Sequence, residues 1–390
     1  MVRTGLDRLL AGECGDLLAG KRVGLIANPT SVDRGMVHAA DALFERGHLK
    51  ALLGPEHGIR GDAQDMVGVT SGRDARTDVP VHSLYGHTLE SLTPSAEVLA
   101  EVDVLVYDIQ DVGCRYYTFA WTLLLALRAA AQARVRTVVL DRPNPLGGLA
   151  MEGTGVEDGY TSFVGLHSVP VRHGLTVGEL TRLVATREGL SDWLDVVPMS
   201  GWRRAMHFDA TGLPWVQPSP NMPTLDTAFV YPGLCLLEGT ELSEGRGTTR
   251  PFEIFGAPYI DGDRLAAALV DDDLPGVRFR PLVFRPTFHK FANESCGGLQ
   301  IHVIDRERFR PLRTGVAILR AVRRLYPGHF RWREHPYEFV TDRAAIDLLG
   351  GGPWLREHVE AGTPLREVLT CWREAEESFS RERAPALLYD

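Results

Sequence analysis

Several short runs in this 390-residue chain set carboxylates, amides and arginines where the backbone must turn sharply. The tightest is Gly54-Pro55-Glu56-His57-Gly58. Pro55 fixes φ and the flanking glycines permit an abrupt turn, so Glu56 is held in one direction. A carboxylate fixed in this way suits a general acid or a nucleophile, which needs geometry before a tuned pKa. The alternative is a plain turn whose Glu56 caps the next helix or pairs with Arg60. Asp108 and Asp111 stand three apart after an apolar run. Asp111 can cap a helix starting near Gly113, whereas Asp108 ends the strand itself. Asn28 opens an Asn-Pro-Thr-Ser turn. Asn144 lies between Pro143 and Pro145, which restrict it, and such a rigid polar loop orients hydroxyl or amide groups. The competing reading of that loop is a structural turn built on Asp141 and Arg142.

Two further segments carry polar chemistry. Arg115-Tyr116-Tyr117 follows the Asp108 run, and its aromatic faces either stack on a sugar ring or pack beneath the sheet. Residues 218–224 offer Asn221, and residues 238–253 combine Glu238, Glu241 and Glu244 with Arg246 and Arg250 on a Gly-rich backbone. Arg246 and Arg250 are suited to hold a carboxylate bidentately. An ordinary solvated loop with local charge pairs is the alternative, but a loop of this length needs a reason to be ordered.

Other motifs fail. Residues 15–21 imitate the start of a P-loop, but Arg22 replaces the required hydroxyl residue and the strand follows instead of preceding. No G-x-G-x-x-G follows the first strand, and no G-x-S-x-G elbow exists. His57, His82 and Asp108 have no metal-ligand spacing. We therefore expect no metal and no cofactor.

The elements that position these residues follow from periodicity. Apolar runs at 22–27, 50–53, 79–84, 102–108, 136–140 and 193–197 read as strands, with a weaker one at 170–172. Helical patterns lie at 37–46, 117–133 and 176–187. Strands apolar throughout, separated by helices, indicate α/β architecture: a mostly parallel sheet covered by helices on both faces. In such a sheet ligands bind beyond the carboxyl ends of the strands. The turns carrying Asn28, Glu56, Asp108 and Asn144 then meet on one rim. After about residue 227 the rhythm changes to Gly, Pro and Ser-rich chain, a strand at 298–304 and helices at 312–325, 344–349 and 364–380. We place a boundary between 225 and 235, giving an N-terminal domain 1–228 and a smaller α+β C-terminal domain 229–390 that contributes to the cleft.

Composition narrows the function. The 42 Lys and Arg against 51 Asp and Glu give a net charge of −9, which argues against a nucleic-acid partner. No run approaches 18 apolar residues, so no membrane-spanning helix is expected. Five scattered cysteines without a CxxC pair read as free thiols in a reducing compartment. The N-terminus has no uninterrupted apolar stretch of the secretory type, so the expectation is a cytoplasmic protein, and the acidic balance permits a small or sugar-like ligand.

Read together, GLIANPTSVD (24–33), ALLGPEHGIRG (51–61), VPVHSLYG (79–86), VLVYDIQDVGCRYYTF (104–119) and VLDRPNPLGG (139–148) form a recognisable set. SPNMPT (219–224) and EGTELSEGRGTTRPFEIFGAPY (238–259) complete it. In this set the chain resembles the exo-β-N-acetylmuramidases of the NamZ type. The resemblance implies a Rossmann-like N-terminal domain, a smaller C-terminal domain and a cleft between them. It implies removal of a terminal, non-reducing β-linked N-acetylmuramic acid from peptidoglycan fragments, with Glu56 as catalytic acid. Asp108, Asp111 and Glu244 are candidates for a second group. In a substrate-assisted route, Asp111 or Asn144 would orient the 2-acetamido group. Arg246 or Arg250, with Arg60 and Arg73 in reserve, would meet the lactyl carboxylate. Asn28, His57, Tyr116, Tyr117 and Asn221 complete the expected substrate contacts. The competing class is a non-catalytic module that binds a sugar or peptidoglycan fragment on the same rim.

Overall fold

A computed structural model describes residues 1–15, 17–56, 58–60, 72–86 and 88–390. The chain runs α1 (Gly5–Leu10), β1 (Val23–Ala27), α2 (Ala39–Glu45), β2 (Leu49–Gly54), β3 (Gly72–Arg73), β4 (Pro80–Ser83), α3 (Ala96–Ala100), β5 (Val104–Asp108), α4 (Phe119–Gln132), β6 (Arg136–Leu140), α5 (Val177–Glu188) and β7 (Leu194–Val197). Then follow α6 (Leu225–Leu234), β8 (Ile254–Ala257), α7 (Gly262–Leu269), β9 (Val277–Phe284), β10 (Cys296–Val303), α8 (Pro311–Leu325), α9 (Ala345–Gly350), α10 (Trp354–Ala361) and α11 (Leu365–Arg383).

The first seven strands form one sheet in the order β3-β4-β2-β1-β5-β6-β7. Every pairing is parallel except the short β3–β4 edge. Both faces are apolar, as a parallel sheet requires. Leu25, Ala27, Val104, Val106 and Leu140 pack with Leu6 of α1 and Leu43 of α2. Ile26, Leu53, Leu105, Tyr107 and Val139 face the other way, onto Leu123 and Leu124 of α4 and Leu180 of α5. That second core continues without a break into Phe229, Leu312, Val316 and Leu319 of the C-terminal half.

The C-terminal half is built on an antiparallel sheet, β8-β10-β9. Its α8 buries one stripe against α6. The two helices approach so closely that a Cβ on Gly233 would lie 1.9 Å from the Pro311 carbonyl, and one on Gly315 2.2 Å from the Gly233 carbonyl. Helix α6 runs across the 228/229 position without interruption.

Three expectations need amendment. Residues 170–172 form no strand: Arg172 makes single antiparallel bridges to Glu152 and Cys114, because its side chain is anchored in a buried ion pair with Glu152. The Gly, Pro and Ser-rich chain expected after about residue 227 holds most of α6, and β8, α7 and β9 follow before the expected strand. The long helix expected over 117–133 starts at Phe119, so Tyr117 lies before it.

Candidate active site

Because β2, β1, β5 and β6 are parallel neighbours, their carboxyl ends share one edge. The turns beyond them interlock. The Ser31 hydroxyl donates to the Asp108 carbonyl. The Gln110 amide donates to Thr30 Oγ1 at 2.9 Å, and Gln110 Nε2 donates to the Pro143 carbonyl at 2.6 Å. Asn28 accepts from the Thr30 amide and hydroxyl at 2.9 and 2.6 Å, and its Nδ2 donates to the Pro218 carbonyl at 3.2 Å. Asn144 accepts from the Leu146 amide and donates to the Leu175 carbonyl, both at 2.9 Å.

The buried polar residues of this rim thus make the rim itself. Asp108 is 0% exposed and receives two bonds from Arg142, at 2.6 and 2.8 Å. This is a structural ion pair, and neither partner lines the cleft. Asp111 is also buried. Its Oδ2 accepts from the Gly113 amide at 2.6 Å, while Oδ1 has no hydrogen-bond partner among the described residues. Burial pushes its carboxyl up to about 7, against the pull of the Gly113 and Val112 amides.

The cleft opens beside this rim, between the two halves, with about 810 Å³ of empty space when its mouth is counted. Glu56 lines it from the N-terminal side. The Gly58 amide donates to the Pro55 carbonyl at 2.9 Å, with Gly58 at φ +76°, so the chain reverses just beyond Glu56. Glu56 is half-buried at the end of β2. His57 lies outside the described residues. Tyr116 and Tyr117 form the floor. Both are buried and meet Tyr231 edge-on, and the Tyr116 hydroxyl donates to the Pro232 carbonyl of α6. Burial raises the Tyr117 hydroxyl, Ser219 lowers it, and the charges of Asp111 and Glu56 raise it further. Tyr117 therefore lies within electrostatic reach of both carboxyl groups.

The C-terminal half supplies the opposite wall: Glu238, Arg246, Phe252, His289, Arg333, Tyr337 and Glu338, with Asn221 and Met222 from the connecting segment. Arg246 bonds Glu238 at 2.9 Å and approaches Glu244 at 3.3 Å. Glu244 lies behind the wall. Burial opposes its ionisation, but Lys290 at 2.9 Å, with His289 and Arg246, holds its carboxyl well below the usual range. Arg250 is turned away and pairs with Glu253. Arg60 is occupied by Asp41 and Asp74, and Arg73 by Asp78.

Of the expected site residues, the structure gathers Glu56, Tyr116, Tyr117, Asn221 and Arg246 around the cleft and sets Glu244 just behind it. Asn28, Arg60, Asp108, Asp111, Asn144 and Arg250 do not line it. Glu238 stood inside a segment already singled out. Arg333, Tyr337 and Glu338 were missed, although an irregular run between two helices that carries Arg, Tyr and Glu beside Pro336 is a signal of its own. Among the described residues no group of three His, Cys, Asp or Glu side chains is placed to hold a metal ion.

Comparison with known proteins agrees with this architecture. The family model "Exo-beta-N-acetylmuramidase NamZ, N-terminal" matches residues 23–226, and its C-terminal counterpart matches residues 229–389. The chain is 44% identical over 390 residues to the peptidoglycan beta-N-acetylmuramidase NamZ of Bacillus subtilis (strain 168), covering 100% of this chain and 91% of that protein. Two crystal structures of DUF1343 family proteins from Bacteroides fragilis NCTC 9343 cover 100% of this chain and 99% of their own. One has a TM-score of 0.88 at 37% identity, the other 0.79 at 28%. With both halves matched in order around one cleft, the chain belongs to the exo-β-N-acetylmuramidase NamZ family.

Proposed function

We propose that this protein is an exo-acting glycosidase that releases terminal, non-reducing β-linked N-acetylmuramic acid from peptidoglycan fragments, with Glu56 as its catalytic acid. The full-length relation to a peptidoglycan β-N-acetylmuramidase carries the activity. The role of Glu56 is supported by its place: a half-buried carboxylate on a closed turn, facing a cleft between two halves. The acid would protonate the glycosidic oxygen as the bond to the anomeric carbon breaks and positive charge develops on the ring. A water then adds its oxygen to the anomeric carbon and leaves its proton on a carboxylate, which completes the hydrolysis. Asp108 is held by Arg142 and is a poor second group. Asp111, buried at the rim with Oδ1 unpartnered among the described residues, is the better of the two, either as a carboxylate or as a partner for the 2-acetamido group. We take 228/229 as the functional boundary, the first part supplying Glu56 and the second the facing wall. All five cysteines are free, which fits action on fragments within a reducing cytoplasm.

The test is hydrolysis of a β-N-acetylmuraminide with a sugar leaving group, whose departure needs a proton, by the parent and by Glu56→Gln. The variant should lose roughly 10²–10⁴-fold in kcat and still bind the sugar. Absence of turnover by the parent would leave only a binding module, and a fully active variant would remove Glu56 from the chemistry.

A further inference from the structure

The cationic groups of the cleft are not equivalent. Arg246 is placed between Glu238 and Glu244, with its guanidinium 5.2 Å over the ring of Phe252. Lys290, behind it, is enclosed by Glu244 and the carbonyls of Leu237 and Leu242 at 2.9 and 3.0 Å. His289 faces Glu244 at 3.4 Å.

Arg333 differs from all of these. It lines the same cleft, yet among the described residues no carboxylate lies within ion-pair distance of it. Among the described residues its side chain donates only to the Pro336 carbonyl, at 3.1 Å, and its buried Nε has no hydrogen-bond partner. The guanidinium lies 5.2 Å over the ring of Tyr337, whose hydroxyl donates to Glu238 at 2.8 Å. Stacking on a ring that is itself anchored fixes the plane of the guanidinium before any ligand arrives.

The segment that carries it is tied down on both sides. Trp332 bridges Thr240, and the Arg333 amide donates to the Gly239 carbonyl at 2.9 Å. Tyr337 and Val340 exchange backbone bonds at 3.0 and 2.9 Å. Between them Glu338 and Phe339 adopt left-handed conformations, φ 46° and 68°, a costly arrangement for two consecutive non-glycine residues. Phe339 plugs into the N-terminal half, its ring 6.4 Å from Tyr85 and 6.1 Å from Phe163. Strain held by contacts on both halves is what presents Arg333 to the cleft.

A fixed guanidinium with unsatisfied donors is a receptor for a planar anion. We propose that Arg333 receives the carboxylate of the lactyl ether on the terminal muramyl ring, and so distinguishes N-acetylmuramic acid from N-acetylglucosamine, which lacks that ether. This assignment rests on the function proposed above and replaces Arg246 and Arg250 in that role.

The test compares parent, Arg333→Gln and Arg333→Lys on 4-nitrophenyl β-N-acetylmuraminide and 4-nitrophenyl β-N-acetylglucosaminide, with calorimetric binding of the two free sugars in parallel. Arg333→Gln should lower kcat/KM for the muraminide roughly 10- to 100-fold and leave any glucosaminide turnover within about twofold, and Arg333→Lys should recover part of the loss. Equal losses on both substrates, or no loss on the muraminide, overturn the assignment. Should the parent turn over neither substrate, the activity reading fails. Binding then decides for Arg333: a parental preference for N-acetylmuramic acid abolished in Arg333→Gln supports it, and a preference retained or absent refutes it.

Discussion

The two walls of the cleft use polar residues in opposite ways. On the N-terminal rim, Asn28, Asp108, Arg142 and Asn144 are buried and bonded to one another or to backbone, so they shape the edge and do not face the cavity. Glu56 is the carboxylate that this rim sends into the cleft. On the C-terminal wall, Glu238, Arg246, Arg333, Tyr337 and Glu338 all face the space. Conspicuous polar residues at the ends of parallel strands are therefore as much scaffold as chemistry. Access to the cleft separates the two: Glu238, Arg246 and Tyr337 are also paired but line the space, whereas Asp108 and Asn144 do not.

That contrast can be broken by substitution. The largest effect is expected at Asp108. Asp108→Asn leaves the Arg142 guanidinium buried against a neutral amide, and removing one partner of a buried pair costs about 3–5 kcal/mol. Denaturant unfolding should read that loss while kcat per folded molecule stays near the parent value. A variant of parental stability but lost turnover would move Asp108 into the chemistry.

Next comes Asp111. Its folded carboxyl titrates near 7 because burial raises it, whereas an unfolded aspartate titrates near 3.9. Between these values the folded state holds the extra proton, so this group lowers stability as pH rises from about 4 to about 7. Asp111→Asn removes that dependence. Its stability relative to the parent should improve as pH rises across this window, by up to roughly 1.4 kcal/mol per unit. Melting curves at pH 5 and pH 8 check it, and a difference that does not change with pH would contradict the burial argument.

The smallest effect belongs to Arg250. Its side chain is 51% exposed and pairs with Glu253 away from the cleft. Arg250→Gln should cost less than about 1 kcal/mol and leave kcat/KM unchanged. A selective loss on the muraminide would return it to the site.

Much of this arrangement was readable in the residues. The buried parallel strands β1, β2, β5 and β6 are legible as short apolar runs, as are the half-exposed β4 and β7, and the order of their turns gives the shared rim. The closed Pro55–Gly58 turn followed from residue type alone. What could not be read was partnership. Nothing local distinguishes Asp108, which Arg142 meets from 34 residues away, from Glu56, which faces the cleft. The C-terminal wall was harder still. Strands β9 and β10 alternate weakly because much of their surface is half-exposed, and Arg333 and Tyr337 sit in irregular chain whose conformation is set by contacts with Thr240 and the N-terminal half.

The central claim is that Glu56 supplies the proton to the departing oxygen. The direct measurement is kcat/KM of parent and Glu56→Gln on two N-acetylmuraminides, one with a 2,4-dinitrophenyl leaving group and one with a sugar. A dinitrophenolate departs without protonation, so that substrate should lose less than about tenfold, while the sugar glycoside loses roughly 10²–10⁴-fold. Equal losses on the two would show that Glu56 does some other work.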